Sequence, residues 1–213
     1  MNGDDALRAV VLVCTLKPEP AESSSEKLGN EVADALGKHG VSSEVIRVAN
    51  EHVTFGVTLD EGDGDGWPAI RTRIMAADIL VMATPIWMGQ PSSVAKMVLE
   101  RLDAELGEKD DQGRLRTFGK VAAVAVVGNE DGAHHVCAEL FQALNDVGFT
   151  VAASAGTYWV GEAMQKTDYV DAGPKPDTTG AATRTLATNT AHLARLLRAS
   201  PYPPADQGSD GDE

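Results

Sequence analysis

A chain of 213 residues, 43% of them hydrophobic, is long enough for one globular domain with a full core. Its formal net charge of -14 and pI near 4.7 argue against nucleic acid or an anionic membrane as partner, because both require basic surface. Part of this acidity lies near the two ends of the chain, at Asp4, Asp5, Asp206, Asp210, Asp212 and Glu213.

The cysteines and the N-terminal residues indicate a reducing compartment. Cys14 and Cys137 have neither metal-ligand nor redox spacing, so we expect two buried thiols. The segment Met1–Ala6 is polar and acidic, unlike a signal peptide, and no apolar run approaches the ~18 residues that span a bilayer. We therefore expect a cytoplasmic protein with no membrane partner.

Five segments are rich in Val, Ile and Ala in near-continuous runs, as buried parallel strands are. They are Ala9–Cys14, Ser43–Val48, Ile79–Thr84, Val121–Val127 and Phe149–Ala155. Apolar residues at helical spacing follow each of them, and the last helix is predicted over Thr183–Ala199. This alternation predicts an α/β, flavodoxin-like three-layer sandwich: a five-stranded parallel sheet of order 2-1-3-4-5 with helices on both faces.

The predicted domain covers residues 9–199, between an N-terminal tail at 1–8 and an acidic disordered tail at 200–213. Two inserts interrupt the alternation. Residues 50–66 form a flexible acidic loop that lacks the helical frame and terminal Glu of a calcium loop, so no metal is expected. Residues 158–180 form a long loop of the kind that serves as a lid or interface, or is disordered.

The loop after predicted strand 1 suits a phosphate monoester. Thr15 ends the strand, and Ser23, Ser24 and Ser25 precede a helix, whose N-terminus favours an anion. Helix capping by Ser23 with Glu26 is the alternative role, although one serine is enough for a cap. Neither a G-x-G-x-x-G nor a Walker sequence is present, which argues against a tightly bound dinucleotide.

The loop after predicted strand 3 suits a flat ring, because ligands of open α/β sheets bind outside the carboxyl ends of strands. Trp87 offers a wall and Gly89 allows close approach, unless Trp87 is only a packing anchor. The loop after predicted strand 4, residues 128–135, adds glycines and a helix N-terminus. His134 and His135 are adjacent, so at most one faces the site; both are otherwise solvent-facing or capping residues.

These loops resemble those of flavodoxin-like NAD(P)H-dependent FMN reductases and quinone reductases. The resemblance runs from Ala9 to Leu197 and rests on the segments 14–18 with the serines, 84–89 and 128–135. It implies FMN as cofactor and NAD(P)H as co-substrate, with hydride passing through flavin to a small acceptor, a quinone or free flavin. The cofactor-binding positions it implies are Thr15, Lys17, Ser23, Ser24, Ser25, Thr84, Pro85, Ile86, Trp87, Met88, Gly89, Gly128, Asn129, Glu130, Asp131, Gly132 and His135.

The flavin would carry the chemistry, so neither a catalytic acid or base nor a metal is required. The first loop departs from the family, because it is longer and richer in Pro and Glu than in a compact reductase. Glu19 and Glu22 would repel a phosphate there unless they point outward. The resemblance also implies a homodimer or homotetramer in which a partner subunit helps to close the site. The apolar residues Tyr158, Trp159, Val160 and Met164 would be covered there.

Three other functions share this strand order. A receiver-type signalling domain needs an acidic cluster after strand 1, where this chain has Val13-Cys14-Thr15. A flavodoxin-type electron carrier without its own substrate has the same fold, cofactor and acidic surface, and it is the main alternative. A cofactor-free interaction module is the third, and the absence of flavin absorbance would identify it.

Overall fold

The computed structural model describes residues 6–163, 165–174 and 176–204, and its elements alternate between strand and helix. The strands are β1 (Leu7–Val13), β2 (Val41–Arg47), β3 (Ile79–Trp87), β4 (Gln90–Pro91), β5 (Val121–Gly128) and β6 (Thr150–Val160). The helices are α1 (Ser24–Gly37), α2 (Trp67–Ala76), α3 (Ser93–Leu102), α4 (Ala133–Asp146) and α5 (Asp177–Ala199). Short 3-10 turns cover Val48–Asn50 and Asp103–Gly107.

The five long strands form one parallel sheet in the order β2-β1-β3-β5-β6. This is the predicted order, because β5 and β6 are the fourth and fifth strands that the sequence indicated. The apolar strands are buried on both faces, as a parallel sheet with helices on each side requires. Val11, Leu12 and Val13, for example, have no exposed surface.

Two apolar cores separate the sheet from its helical layers. Residues of α2, α3 and α4 pack on one face, against Leu12 and Met82 among others. Residues of α1 and α5 pack on the opposite face, where Leu28 is completely buried. Burial of such an aliphatic side chain stabilises the fold by about 1.5–3 kcal/mol.

The end of β3 differs from the prediction of a loop. Residues 84–87 continue the strand, and the chain then reverses through Met88 and Gly89 into β4, with Trp87 opposite Gln90. Met88 has a φ of 51° and Gly89 a φ of 73°. Positive φ at both central residues is the geometry of a tight two-residue hairpin turn, so β4 is an antiparallel strand beyond the five predicted.

The last strand and helix are also longer than predicted. Tyr158, Trp159 and Val160 were expected in a loop, but they belong to β6 and pair with Val126, Val127 and Gly128. The strand extends because its pairing with β5 resumes after an irregularity between Ala122 and Val124. α5 begins at Asp177 instead of Thr183.

The insert between β2 and α2, predicted as flexible, is held by a buried ion pair. Arg101 donates to the Asp65 carboxylate at 2.7 Å and to the carbonyls of Thr54 and Thr58 at 2.7 and 3.2 Å. Both charged side chains are fully buried. Among the described residues, no three His, Cys, Asp or Glu side chains form a group that could hold a metal ion.

The two ends are described only in part. β1 begins at Leu7, before the predicted boundary at residue 9, while residues 1–5 and 205–213 lie outside the described residues. Within the predicted C-terminal tail, the Tyr202 ring packs 5.5 Å from that of Phe118, and its carbonyl accepts from Arg114 at 2.7 Å. No helix in the described part of the chain has the length and apolar character needed to cross a membrane.

Candidate functional site

A cavity of about 540 Å³ lies at the carboxyl ends of the parallel strands. Its volume falls within the range of ~300–1,000 Å³ that is usual for ligand and cofactor pockets. Residues after β1 line one side, and the ends of β3, β5 and β6 line another. The predicted site residues that line it are Thr15, Lys17, Ser23, Ser24, Ser25, Pro85, Ile86, Trp87, Gly128, Asn129 and Glu130.

One end of the cavity is lined by hydroxyl groups that each accept a hydrogen bond from a backbone amide. Ser23 Oγ accepts from the Glu26 amide at 3.3 Å and is the N-cap of α1, as the capping alternative predicted. Thr15 Oγ1 accepts from the Lys17 amide at 3.3 Å, and Ser24 Oγ from the Val170 amide at 3.3 Å. Each hydroxyl hydrogen is therefore free to be donated into the cavity.

Ser25 completes this end. It is only 2% exposed, it lines the cavity, and no hydrogen bond satisfies its hydroxyl within the described part of the chain. The Ser25 oxygen is not among the fully buried polar atoms that lack a partner, so it is open to the cavity and can bond to water or to a ligand there. The first turn of α1 adds backbone N–H groups and the favourable field of a helix N-terminus. The combination suits an anion with several acceptor oxygens.

Charge at this end comes from few side chains. Lys17 is the cationic residue that lines the cavity within the described ranges, whereas four acidic residues line it: Glu22, Glu130, Asp168 and Asp171. Arg47 is committed elsewhere, since it pairs with Glu26 and donates to the Ala21 carbonyl at 2.7 Å. An anion here would therefore be held mainly by neutral hydroxyl and amide donors.

The end of the cavity formed by β3 and β5 is partly apolar. Pro85, Ile86 and Trp87 contribute the end of β3, and Trp87 is 51% exposed. Gly128 allows close packing of β5 against β3, because a Cβ there would lie 2.9 Å from the Cβ of Ile86. The Trp87 indole offers an aromatic surface on which a planar ring system can pack.

Six predicted site residues lie outside the cavity lining: Thr84, Met88, Gly89, Asp131, Gly132 and His135. Thr84 is buried and accepts from the amide of Ser92, whose hydroxyl bonds the Cys14 carbonyl at 2.6 Å. It fixes the start of α3 instead of facing a ligand.

Packing of the hairpin turn against α4 explains most of the other positions. A Cβ on Gly132 would lie 2.8 Å from the Cα of Gly89, so this glycine permits contact between two loops. Met88 is 87% exposed, and its amide donates to Glu130 at 2.8 Å. His135 contacts Gln90 at 3.0 Å, beside the turn.

Several lining residues were not predicted: Leu16, Glu22, Val127, Trp159, Asp168, Tyr169, Val170 and Asp171. Trp159 was detectable in principle, because the end of the last parallel strand lies at the same edge as the other loops. No local pattern indicates residues 168–171, whose contacts at the cavity include α1, more than 130 positions away in sequence.

Burial affects two titratable groups at or beside the cavity. It raises the pKa of Tyr169, and the hydrogen bond of the Tyr169 hydroxyl to Glu31 acts in the same direction. Burial also raises the pKa of the Cys14 thiol, which directly precedes the lining residue Thr15, to about 12. Both groups therefore stay protonated at neutral pH.

Comparison with known proteins identifies the family. The family described as NADPH-dependent FMN reductase matches residues 7–165, which is most of the chain. The chain belongs to this family. The predicted resemblance is therefore confirmed, and so is the flavodoxin-like fold. Membership of this family assigns FMN as the cofactor and NAD(P)H as the co-substrate of a flavin-dependent oxidoreductase.

Two curated relatives of this chain have different names. The 8-demethyl-8-aminoriboflavin-5'-phosphate synthase of Streptomyces davaonensis is 33% identical over 207 residues, which are 92% of this chain and 80% of that protein. A Mycobacterium bovis protein named divalent metal cation transporter MntH is 34% identical over 202 residues, again 92% of this chain. The chain spans only 30% of the length of that second relative.

A solved structure supports the same relationship. The crystal structure of RosB with bound intermediate 8-demethyl-8-formylriboflavin-5'-phosphate has 34% sequence identity and a TM-score of 0.84. The alignment covers 92% of this chain and 82% of that one.

Proposed function

We propose that the chain binds FMN in the 540 Å³ cavity and transfers reducing equivalents from NAD(P)H to a small acceptor such as a quinone or free flavin. The phosphate would lie at the hydroxyl-rich end and the isoalloxazine ring at the end lined by Trp87. The observation that carries the proposal is the set of hydroxyls at the start of α1, which accept bonds from backbone amides and retain their hydrogens for a ligand.

The donor set matches the chemistry of a phosphate monoester. Thr15, Ser23, Ser24 and Ser25 offer four hydroxyls, and the first turn of α1 adds N–H groups. Hydrogen bonds to a charged group are worth about 1.5–3 kcal/mol each, so several of them can hold the dianion although the acidic residues of the lining oppose it. Since acidic residues outnumber Lys17 in the lining, added salt should not weaken FMN binding.

The ring end would position and shield the flavin. Trp87 presents an aromatic face, Gly128 keeps the two strand ends close, and Trp159 closes the floor with only 9% exposure. When bound there, FMN supplies the redox chemistry, accepting hydride from NAD(P)H and passing it to the acceptor. The role of these residues is orientation and exclusion of water.

The experiment is a visible spectrum of the purified chain with FMN, followed by anaerobic addition of NADH or NADPH and then of a quinone or free flavin. Bleaching of bound flavin by a reduced nicotinamide, and its recovery with the acceptor, support the oxidoreductase. A bound flavin that takes no electrons from either nicotinamide favours the flavodoxin-type electron carrier instead.

A second candidate treats the flavin phosphate as the substrate. It is favoured by the 33% identical Streptomyces davaonensis synthase and by RosB, whose names refer to riboflavin-5'-phosphate derivatives altered at position 8. The same cavity would then bind FMN and release a modified flavin. Conversion of the 8-methyl group to a formyl or amino group requires an oxidant for the carbon and, for the amino product, a nitrogen donor. Chromatography of flavins after aerobic incubation with FMN and an amino-group donor therefore distinguishes the two: a flavin altered at position 8 supports this candidate, and unchanged FMN counts against it.

Assembly is proposed on exposed apolar surface beside the cavity. Of the four apolar residues predicted to be covered by a partner, Tyr158 and Val160 are exposed, Trp159 is buried within the subunit, and Met164 lies outside the described residues. Trp87 and Met88 also leave an apolar rim, which a second subunit of a homodimer or homotetramer would cover. The solution mass measured by light scattering tests this assembly. The cytoplasmic location stays a prediction.

A further inference from the structure

The segment 165–171, here called the strap, crosses the cavity after β6. It lies almost entirely beyond residue 165, where the match to the FMN reductase family ends, so the family does not account for it. Its residues Asp168, Tyr169, Val170 and Asp171 form one wall of the cavity.

The strap binds a single stripe of α1, the helix that carries the serine hydroxyls. Ser24, Lys27 and Glu31 lie on one helical face, because they are spaced by three and four positions. Ser24 Oγ accepts from the Val170 amide at 3.3 Å, and Lys27 Nζ donates to the Tyr169 carbonyl at 2.8 Å.

Tyr169 is the centre of this contact. It is 1% exposed, its hydroxyl donates to Glu31 at 2.7 Å, and its ring lies 5.1 Å from that of Trp159. The ammonium group of Lys27 lies 4.6 Å from the centre of the same ring, within cation–π range. A side chain held from so many directions fixes the backbone of the residue that follows it, Val170.

The far end of the strap is tied to the ring end of the cavity. Asn129 donates to the Gln165 carbonyl at 3.2 Å and to the Asp168 carboxylate at 3.3 Å. The strap therefore connects the loop after β5 with the N-terminus of α1, and both of these line the site.

We propose that Tyr169 is a positioning residue for the flavin phosphate and that it acts through Ser24. Tyr169 fixes the position of Val170, whose backbone amide donates to the Ser24 oxygen. The Ser24 hydroxyl hydrogen then points away from that amide and into the cavity. Lys27 is used to hold the strap and not to bind the anion, which is consistent with a phosphate end built from neutral donors. The inference rests on the proposed function, since it assumes that the cavity takes FMN.

A different result is expected if the strap is only a wall of the cavity and does not orient a phosphate donor. If the strap only encloses the ligand, loosening it weakens FMN and riboflavin equally, because both share the ring and the ribityl chain. If Tyr169 orients a phosphate donor, the loss is specific to FMN. The ratio of riboflavin Kd to FMN Kd is therefore the quantity to measure.

The test uses the full chain with Tyr169→Leu and Tyr169→Phe, each made alone and with Ser24→Ala. We expect Tyr169→Leu to lower the ratio of riboflavin Kd to FMN Kd about tenfold, as loss of one charge-assisted hydrogen bond does. Tyr169→Phe keeps the ring, so this variant should retain most of the wild-type ratio. In the Ser24→Ala background neither change should lower the ratio further, because the group through which Tyr169 acts is gone. Should Tyr169→Leu not fold, Ser24→Ala alone keeps the inference falsifiable, because an unchanged ratio in that variant would overturn it.

Tyr202→Phe is the matched control, since its hydroxyl bonds Thr150 far from the cavity, and it should leave the ratio unchanged. Equal losses for FMN and riboflavin, or additive effects of Tyr169 and Ser24, overturn the inference. Failure of the proposed function looks different: the wild-type chain itself would bind FMN and riboflavin with equal affinity.

Discussion

Replacing Arg101 by methionine tests whether the segment 51–66 is held by one buried ion pair. Methionine keeps most of the side-chain length but removes three hydrogen bonds, one to Asp65 and two to the carbonyls of Thr54 and Thr58. Removal of one partner from a buried pair costs about 3–5 kcal/mol, because the other charge stays buried. Lost contact of the guanidinium with the Trp67 ring, 5.6 Å away, adds to this.

The assay is urea unfolding at pH 7, with Arg73→Met as the matched control. Arg73 also pairs with a carboxylate, that of Glu44 at 3.6 Å, but both side chains are substantially exposed. Exposed pairs contribute ~0–1 kcal/mol, so the control should change the free energy of unfolding little. Equal effects of the two substitutions would refute the idea that burial makes the Arg101 pair important.

The same pair gives a pH dependence. Burial acts to raise the pKa of Asp65, but hydrogen bonds from Arg101 and from backbone amides outweigh it and lower the pKa well below its usual range. Because the folded-state pKa is lowered, the carboxylate stabilises the fold at neutral pH. That contribution is lost as pH falls below about 4, and Arg101→Met should show a weaker acid dependence.

Three further substitutions or probes follow from the site. Gly132→Val should lower the free energy of unfolding by about 1–3 kcal/mol, because the new side chain overpacks against Gly89. The FMN affinity of the folded variant should stay within about threefold of the wild-type affinity. A variant that is stable but has lost FMN affinity contradicts this. Trp87→Ala should change the absorbance or fluorescence of bound flavin, whereas Met88→Ala, outside the cavity, should not. Burial raises the pKa of the Cys14 thiol to about 12, so this thiol should resist a thiol reagent at pH 8 until the protein is unfolded. Rapid labelling of Cys14 in the folded chain would show that the thiol is accessible.

The sheet was predictable because its signals are local. Runs of Val, Ile and Ala mark the strands, and right-handed crossovers leave few ways to order them. The same reasoning brought the loops after β1, β3 and β5 to one edge, and the residues at the start of α1 and the end of β3 do lie around one cavity.

The parts that were missed depend on contacts between distant residues. Asp65 and Arg101 are far apart in sequence, so an acidic loop with several glycines was interpreted as flexible. The strap reaches the cavity through Tyr169 and α1, and no periodicity shows such a contact. Gly132 was assigned to ligand approach, but its freedom is used for packing against Gly89.

The central claim is that this cavity holds FMN by its phosphate. Fluorescence titration of FMN and riboflavin against the wild-type chain and a Ser23, Ser24 and Ser25 to Ala variant tests it most directly. We predict that the wild type binds FMN at least tenfold more tightly than riboflavin, and that the variant loses this preference while it stays folded. Equal affinity of the wild type for both flavins, or an undiminished preference in the variant, would contradict the account.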